Sequence, residues 1–294
     1  MLDFRIQTFL AVCRHMSFTA AAEELHITQP AVSQHIHHLE EHYGVSLFSR
    51  EGRHVALTPA GEVLLRTMQG LENDEQAMQR RMHEAGSGKR TLVFGVTMTI
   101  GEYAVVGALS RYLKAHPDTD LVVRFGNTRT LLDKLRLGEI DFALVEGYFV
   151  SSGFETLVDR SEPYLPVCAS GHVFSGEVVG LEDLLCERLL VREEGSGTRE
   201  ILEKTLAAHH LRITDFAHVT EVGNVHALVS LLVQDCGVAF LYRAAVEREL
   251  EQGLLRTIPI PGVDIRHDFT FLWNRESCFR EEYKSTCLEL RSLS

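Results

Sequence analysis

Residues 17–58 constrain the fold more than any other stretch of this chain, and they read SFTAAAEELHITQPAVSQHIHHLEEHYGVSLFSREGRHVALT. Ser17 and Thr28 are of the residue types that cap helix N-termini, and each precedes a helical pattern. Pro30 lies in the first turn of the second helix, where its missing N–H does no harm. A tight connection joins the helices, and a basic hairpin follows. This order predicts a winged helix-turn-helix, which places its second helix in the major groove of DNA.

The second of these helices has two distinct faces when its side chains are placed at ~100° per residue. One stripe is predicted to pack against the rest of the domain, and it holds Val32, Ile36, Leu39 and Tyr43. The other face lies roughly a right angle away and is predicted to meet base edges. It holds Gln29, Pro30, Ser33 and His37.

Two runs, TQPAVSQHIHHLE and YGVSLFSREGRHVALTPAGE, resemble the N-terminal domain of LysR-type transcriptional regulators, and the match has no gap. The resemblance implies that base contacts come from Gln29, Pro30, Ser33 and the next residue, Gln34. It also implies that the wing carries Arg50 and Arg53. Because the family commonly has a basic residue where this chain has Gln34, we expect a preference for adenine instead of the usual arginine contact to guanine. The alternative is a three-helix cluster with a polar surface helix.

The net charge of −12 is unusual for a chain that is predicted to bind DNA. Residues 1–58 contain four arginines, no lysine and six acidic residues, but seven histidines. We therefore expect phosphate contacts from wing arginines, hydroxyls, main-chain N–H groups and protonated imidazoles. One such domain would bind weakly, which predicts a homodimer or homotetramer on a two-part site in double-stranded promoter DNA.

A long helix is predicted to begin at Thr58 and Pro59, with the hydroxyl as its cap. Its apolar residues follow heptad spacing, which is typical of a seam that packs against another helix; they are Leu64, Met68, Leu71, Met78 and Met82. In the family that the chain resembles, the matching helix dimerises. The alternative is a single amphipathic helix packed on its own domain. The run AGSGK at 85–89 predicts a hinge, so we divide this half into a DNA-binding domain, 1–58, and a dimerisation helix with hinge, 59–89.

From Arg90 onward, short apolar runs alternate with helical patterns, which predicts an α/β sheet. Strands are predicted at 92–96, 121–125, 142–145, 165–168, 189–191, 238–241 and 269–272, and helices near 102–115, 130–137, 199–209 and 225–234. This half resembles the LysR-type effector domain. The resemblance implies two Rossmann-like lobes arranged like a periplasmic binding protein, with lobe I at 90–162 and 263–294 and lobe II at 163–262.

Polar residues gather where predicted strands end and helices begin, which is where open α/β sheets bind ligands. The polar residues concerned are Thr97, Thr99, Asn127, Glu146, Ser196, Thr198 and Asn224, and we add Ile100, which follows Thr99 in the same stretch. The resemblance implies that most of them line a cleft for a small effector. Thr99, Ser196 and Asn224 have an alternative explanation as helix caps. Glu146 is unexpected in an anion site, and it either faces a ligand's amine or pairs with Arg199.

Several other functions are disfavoured by the motifs. The Gly195–Thr198 run lacks the Gly-Lys-Ser/Thr of a phosphate-binding loop, and a nucleophile elbow and an HExxH motif are absent, so we expect neither an enzyme nor a cofactor. Two alternatives stay open: a redox sensor using some of the six scattered cysteines, and a metal site at His35, His38 and His42. The sequence contains no long apolar run, which predicts a cytoplasmic protein that does not contact membranes.

The runs TMTIGEY, GNT, DFALVEG and REEGSGTREILE are most similar to the LysR-type subgroup that regulates sulphite and sulphur assimilation. This similarity implies that the effector is a small anion or a small anionic metabolite.

Overall fold

The computed structural model describes residues 3–51, 54–84 and 90–294. The N-terminal part contains three helices and a two-stranded antiparallel hairpin: α1 Phe4–His15, α2 Phe18–Glu24, α3 Gln29–Tyr43, β1 Phe48–Glu51 and β2 His54–Leu57. Both predicted caps form, because the hydroxyl oxygens of Ser17 and Thr28 accept hydrogen bonds from main-chain N–H groups at 3.3 and 3.4 Å. The winged helix-turn-helix is confirmed, and α1 is an addition to the predicted elements.

The core of this domain uses the predicted stripe of α3 with one exception. Val32, Ile36 and Leu39 are buried, whereas Tyr43 is 46% exposed. The prediction was wrong for Tyr43 because it is the last residue of α3, and Gly44, with φ of 69°, turns the chain away there.

Helix α4, Pro59–Glu84, begins as predicted, with the Thr58 hydroxyl accepting from the Gly61 N–H at 3.0 Å. The predicted heptad seam divides into two parts. Leu64 and Met68 pack into the core of the chain's own helix-turn-helix domain. Farther along the helix, Met78 is 44% exposed and Met82 is 67% exposed, so this part of the seam is uncovered in the single chain.

Another face of α4 packs on the C-terminal part of the chain, which the sequence did not predict. Its buried residues are Gly70, Asn73, Asp74 and Ala77. The Asp74 carboxylate accepts from the Ser277 hydroxyl at 2.5 Å and from the Cys278 N–H at 2.7 Å. The Asn73 amide donates to the carbonyl of Leu135 at 3.0 Å. These polar contacts fix the helix against its own effector domain.

The C-terminal part is built on a sheet to which nine of the described strands contribute, in the order β4-β3-β5-β11-β6-β9-β7-β8, with β10 beside β6. Their bounds are β3 Arg90–Thr97, β4 Thr119–Gly126, β5 Phe142–Val145, β6 Phe154–Ala169, β7 Arg188–Val191, β8 His218–Glu221, β9 Val238–Tyr242, β10 Leu255–Thr257 and β11 Ile265–Asn274. The helices are α5 Met98–Tyr103, α6 Val106–Ala115, α7 Thr128–Arg136, α8 Gly197–Ala208, α9 Val225–Val233, α10 Arg243–Glu251 and α11 Arg280–Ser292, with 3-10 turns at Leu181–Leu184 and Ile213–Asp215.

One long strand, β6, connects the two halves of this sheet. It pairs with β11 as far as Tyr164 and with β9 from Tyr164 onward. The strands nearest the cleft are parallel: β3 with β4 and β5 on one side, and β7 with β8 and β9 on the other. The predicted two-lobed α/β architecture is thereby confirmed. In the described residues, no helix is both long and apolar enough to cross a membrane.

The predicted helix at 102–115 is instead two helices, α5 and α6. The chain turns between them because the N–H groups of Ala104 and Val105 both donate to the carbonyl of Ile100. Strand β8, strand β10, helix α10 and helix α11 were not predicted, nor was the first half of β6.

Candidate functional site

The exposed face of α3 carries the residues that were predicted to read bases. Gln29, Pro30, Gln34 and His37 are exposed, and Ser33 is half-buried. The Gln29 amide donates to the Ser33 hydroxyl at 2.9 Å, so DNA has to compete with a bond along the helix. In the wing, Arg50 lies opposite Val55 in the hairpin, whereas Arg53 falls outside the described residues.

An acidic residue lies among the histidines of this helix. The Glu41 carboxylate is 3.1 Å from Nε2 of His37 and 3.4 Å from Nδ1 of His38. All three side chains are well exposed. The Glu41 carboxylate thus places a negative charge beside the base-reading face.

The inner part of the interlobe cleft is centred on the carboxylate of Glu146, which follows β5. It accepts hydrogen bonds from the Thr97 hydroxyl at the end of β3 and, at 3.3 Å, from the Thr198 hydroxyl in the first turn of α8. The hydroxyl of Thr99 lies 3.5 Å from that of Thr198. These residues and Ile100 are at most 2% exposed. The structure therefore brings four of the eight predicted effector residues into one buried cluster, whereas Ile100 packs in the hydrophobic core.

Backbone contact closes this inner part. A Cβ atom on Gly197 would overlap the carbonyl oxygen of Glu146, and one on Gly147 would overlap Gly197. The Thr128 hydroxyl donates to the Glu146 carbonyl at 2.7 Å, and the Tyr164 hydroxyl donates to the Thr198 carbonyl at 2.8 Å. Glycine thus permits the close approach of the two lobes to each other.

Burial dominates the electrostatics of the cluster. It raises the pKa of Glu146, while the hydrogen bond from Thr97, the positive charge of Arg192 and the bond from Thr198 act in the opposite direction. Arg192 is only 2% exposed. Two of its nitrogens bind the Glu193 carboxylate at 2.8 and 3.0 Å. Its third, Nη1, is buried without a hydrogen-bond partner among the described residues. Glu146 does not pair with Arg199, which binds Glu203 and Glu221 instead.

The outer part of the cleft is open and forms a cavity of about 420 Å³. Three arginines and two aromatic residues contribute to its lining together with Ser196; they are Arg129, Arg136, Arg199, Tyr148 and Phe149. Ser196 was predicted, whereas the arginines and aromatic residues were not. Arg129 lies close to the predicted residue Asn127, and Tyr148 lies close to the predicted residue Glu146. Including the sequence neighbours of the predicted residues would therefore have identified these two.

The two predicted asparagines act as helix caps. The Asn127 side chain accepts from the Thr130 N–H at 2.9 Å, and its amide donates to the carbonyl of Glu194 at 3.4 Å. It thereby connects the two lobes beside the cavity. Asn224 is exposed and accepts from the Ala227 N–H at 2.8 Å, so the capping explanation accounts for it.

Burial raises the pKa of Cys13 to about 12 and that of Cys168 to about 11, and it raises the pKa of Cys287 well above the ordinary value of a thiol. A hydrogen bond to Asp74 raises the pKa of Cys278. Reactive thiolates are therefore disfavoured at these four cysteines. Within the described part of the chain, no group of three or more His, Cys, Asp or Glu side chains could hold a metal ion.

A winged helix-turn-helix joined by a long helix to a two-lobed α/β unit with a polar cleft defines a DNA-binding regulator with an effector domain. Residues 5–62 match the model for bacterial regulatory helix-turn-helix proteins of the lysR family, and residues 85–282 match the LysR substrate binding domain. The chain belongs to the LysR family of transcriptional regulators, whose members are regulators and not enzymes.

A curated relative agrees with this assignment, and two solved structures share the fold. The chain is 28% identical over 269 residues to the HTH-type transcriptional regulator CysL of Bacillus subtilis, covering 91% of this chain and 89% of that protein. Full-length LysG from Corynebacterium glutamicum with bound effector Arg superposes with a TM-score of 0.63 at 18% identity, covering 99% of this chain and 98% of that one. The CcmR regulatory domain of Synechocystis in complex with 2-PG gives 0.62 at 16% identity, covering 70% and 97%.

Proposed function

We propose that this LysR-type regulator responds to a small anionic effector that binds in the outer cavity of the interlobe cleft. The observation that carries the proposal is Arg129. Its guanidinium lines the cavity and has no ion pair within the residues that the structure describes, whereas Arg136 and Arg199 are already paired with carboxylates. An unpaired arginine is suited to binding a carboxylate, sulfate or phosphate group.

The start of helix α8 supports the same chemistry. Ser196 precedes the helix and lines the cavity, and its hydroxyl makes no capping bond to the helix. The hydroxyl is thus free to donate to a ligand, and the positive end of the helix dipole favours an anion. Glu194 and Glu200 also contribute to the lining, so the anionic group would bind near Arg129 and away from these carboxylates.

We further propose that the chain belongs to the subgroup that regulates sulphite and sulphur assimilation. The four sequence runs of the effector domain and the 28% identity to CysL support this placement. Structural neighbours with effectors as different as Arg and 2-PG share the fold, so the fold does not determine the effector class. We therefore infer that class from the charges that line the cavity.

For DNA, we propose that Gln29, Ser33 and Gln34 read bases, and that His37 with the wing residues Arg50 and Arg53 contacts phosphates. The uncovered part of the α4 seam would join two copies on a two-part promoter site, as a homodimer or within a homotetramer. This proposal keeps the predicted division into 1–58, 59–89 and 90–294 and places the protein with its DNA in the cytoplasm.

A thermal-shift screen tests the effector proposal. Sulfate, sulfite, phosphate and small anionic metabolites would be titrated against the wild type, Arg129→Gln and the control Arg124→Gln, an exposed arginine of β4 outside the cavity lining. We expect a stabilising anion to act on the wild type and the control but not on Arg129→Gln. Equal stabilisation of all three proteins would place the effector elsewhere.

A gel-shift titration tests the assignment of the base-reading residues. Gln29→Ala and Gln34→Ala should each lose about 1–3 kcal/mol on the cognate site and change little on scrambled DNA. Equal losses on both DNAs would contradict the assignment.

A further inference from the structure

We infer that the Glu146 carboxylate is an intramolecular ligand of the inner cleft: it takes the position of a bound anion between the lobes and holds them together without an effector. This inference depends only on the geometry of the cluster. It does not require that the outer cavity binds an anion.

The groups around the carboxylate are those of an anion site. Lobe I supplies the hydroxyl of Thr97, and lobe II supplies the hydroxyl of Thr198 at 3.3 Å. Thr198 lies in the first turn of the 12-residue helix α8, where the helix dipole is positive. The positive charge of Arg192, which is 2% exposed, also acts on the carboxylate and favours its ionised form. Hydroxyls from both lobes, a helix N-terminus and a buried guanidinium would bind a small external anion equally well.

The site has no room for such an anion while Glu146 is present. Glu146 and Thr97 are each 1% exposed, and Thr198 is 2% exposed. The backbones at Gly147 and Gly197 are too close for a Cβ atom on either residue. An external anion could therefore enter only if the lobes separated or the carboxylate moved out.

Removing the Glu146 side chain beyond Cβ should create the missing site. In Glu146→Ala, the lost atoms are those of acetate, namely one methylene and the carboxylate. Acetate should therefore bind the variant and replace the interlobe hydrogen bonds, whereas acetamide, which has nearly the same shape and no charge, should bind more weakly.

The experiment measures thermal unfolding and calorimetric binding with acetate and acetamide. The proteins are the wild type, Glu146→Ala and a matched control, Glu177→Ala, which removes an exposed carboxylate outside the cavity lining. We expect Glu146→Ala to melt at a lower temperature than the wild type and to be stabilised saturably by acetate, more than by acetamide. Binding of acetate in the outer cavity would be common to all three proteins, so the stabilisation of Glu146→Ala should exceed that of the wild type and the control. The inference is overturned if acetate leaves Glu146→Ala unchanged or stabilises the wild type equally.

If Glu146→Ala does not fold, a second variant tests whether the Glu146 carboxylate holds the lobes together. Thr198→Val keeps the shape of the side chain and removes the hydroxyl that donates to the Glu146 carboxylate across the lobes. Hydrogen exchange of the main-chain amides at 146–148 and 196–198 should become about tenfold faster or more, as expected for the loss of a charged hydrogen bond. Exchange at the wild-type rate would show that the carboxylate does not hold the lobes together.

Discussion

The contact between α4 and the effector domain predicts a measurable local weakening in Asp74→Ala. Asp74 is 7% exposed and accepts from the Ser277 hydroxyl at 2.5 Å, the Cys278 N–H at 2.7 Å and the Cys278 thiol at 2.8 Å. Alanine removes the acceptor of all three donors and leaves the rest of the helix unchanged. The perturbation is therefore confined to one contact between the helix and its own effector domain.

The magnitude follows from what each donor loses. Leaving a buried donor without an acceptor costs about 1–3 kcal/mol, so two main donors give an upper limit of about 6 kcal/mol. Because Cys278 is exposed, water can replace the acceptor of its N–H. We therefore expect about 2–3 kcal/mol, which corresponds to local opening that is roughly 30- to 150-fold more frequent.

Hydrogen exchange followed by mass spectrometry measures this opening at the amides of Cys278 and Phe279, whose N–H groups bond to Asp74 and Ser277. Gln76→Ala, an exposed position on the same helix, is the matched control and should exchange like the wild type. If exchange at these amides is the same in Asp74→Ala and in the control, Asp74 does not hold the helix to the effector domain.

Two further predictions concern the seam and Glu146. Replacing the exposed Met78 with glutamate should lower the oligomeric state measured by light scattering, and an unchanged state would place the interface elsewhere. The pKa of Glu146 is raised above 4.5, so the unfolded chain releases this proton before the native state does. The contribution of Glu146 to the free energy of unfolding should therefore decline as the pH rises from 4.5 to the raised pKa. The melting temperature of Glu146→Gln should change less with pH across that range than that of the wild type.

Local signals in the sequence were sufficient for much of the fold. The caps at Ser17 and Thr28 depend on hydrogen bonds to N–H groups three residues away, so a short window contains all the necessary information. Strand β5 was predicted with its observed bounds because all four of its residues are buried, and a strand buried on both faces is a continuous apolar run. Thr97 and Thr198 were both predicted to line the cleft because each lies between the end of a strand and the start of a helix.

Long-range contacts account for what the sequence did not predict. Asp74 looks like an ordinary solvated residue of an amphipathic helix, since its partners are more than 200 positions away. The role of Glu146 depends on how closely two lobes approach, which no local pattern encodes. The first half of β6 is mostly half-buried or exposed and contains several charged residues, so it lacks a clear apolar pattern, and only the second, more apolar half was predicted.

Strand β11 connects the crossing between the lobes to the contact with helix α4. Its first residue, Ile265, lies opposite Tyr164, where β6 changes partners between the lobes, and just beyond its other end Ser277 and Cys278 are bound to α4 through Asp74. Its ten residues span about 33 Å at ~3.3 Å per residue. If the lobes rotate about the crossing at Tyr164, β11 acts as a lever arm, and each degree of rotation moves its far end by about half an ångström, from the arc length over that span. A rotation of a few degrees in the cleft would thus shift the helix that leads to the DNA-binding domain by more than an ångström.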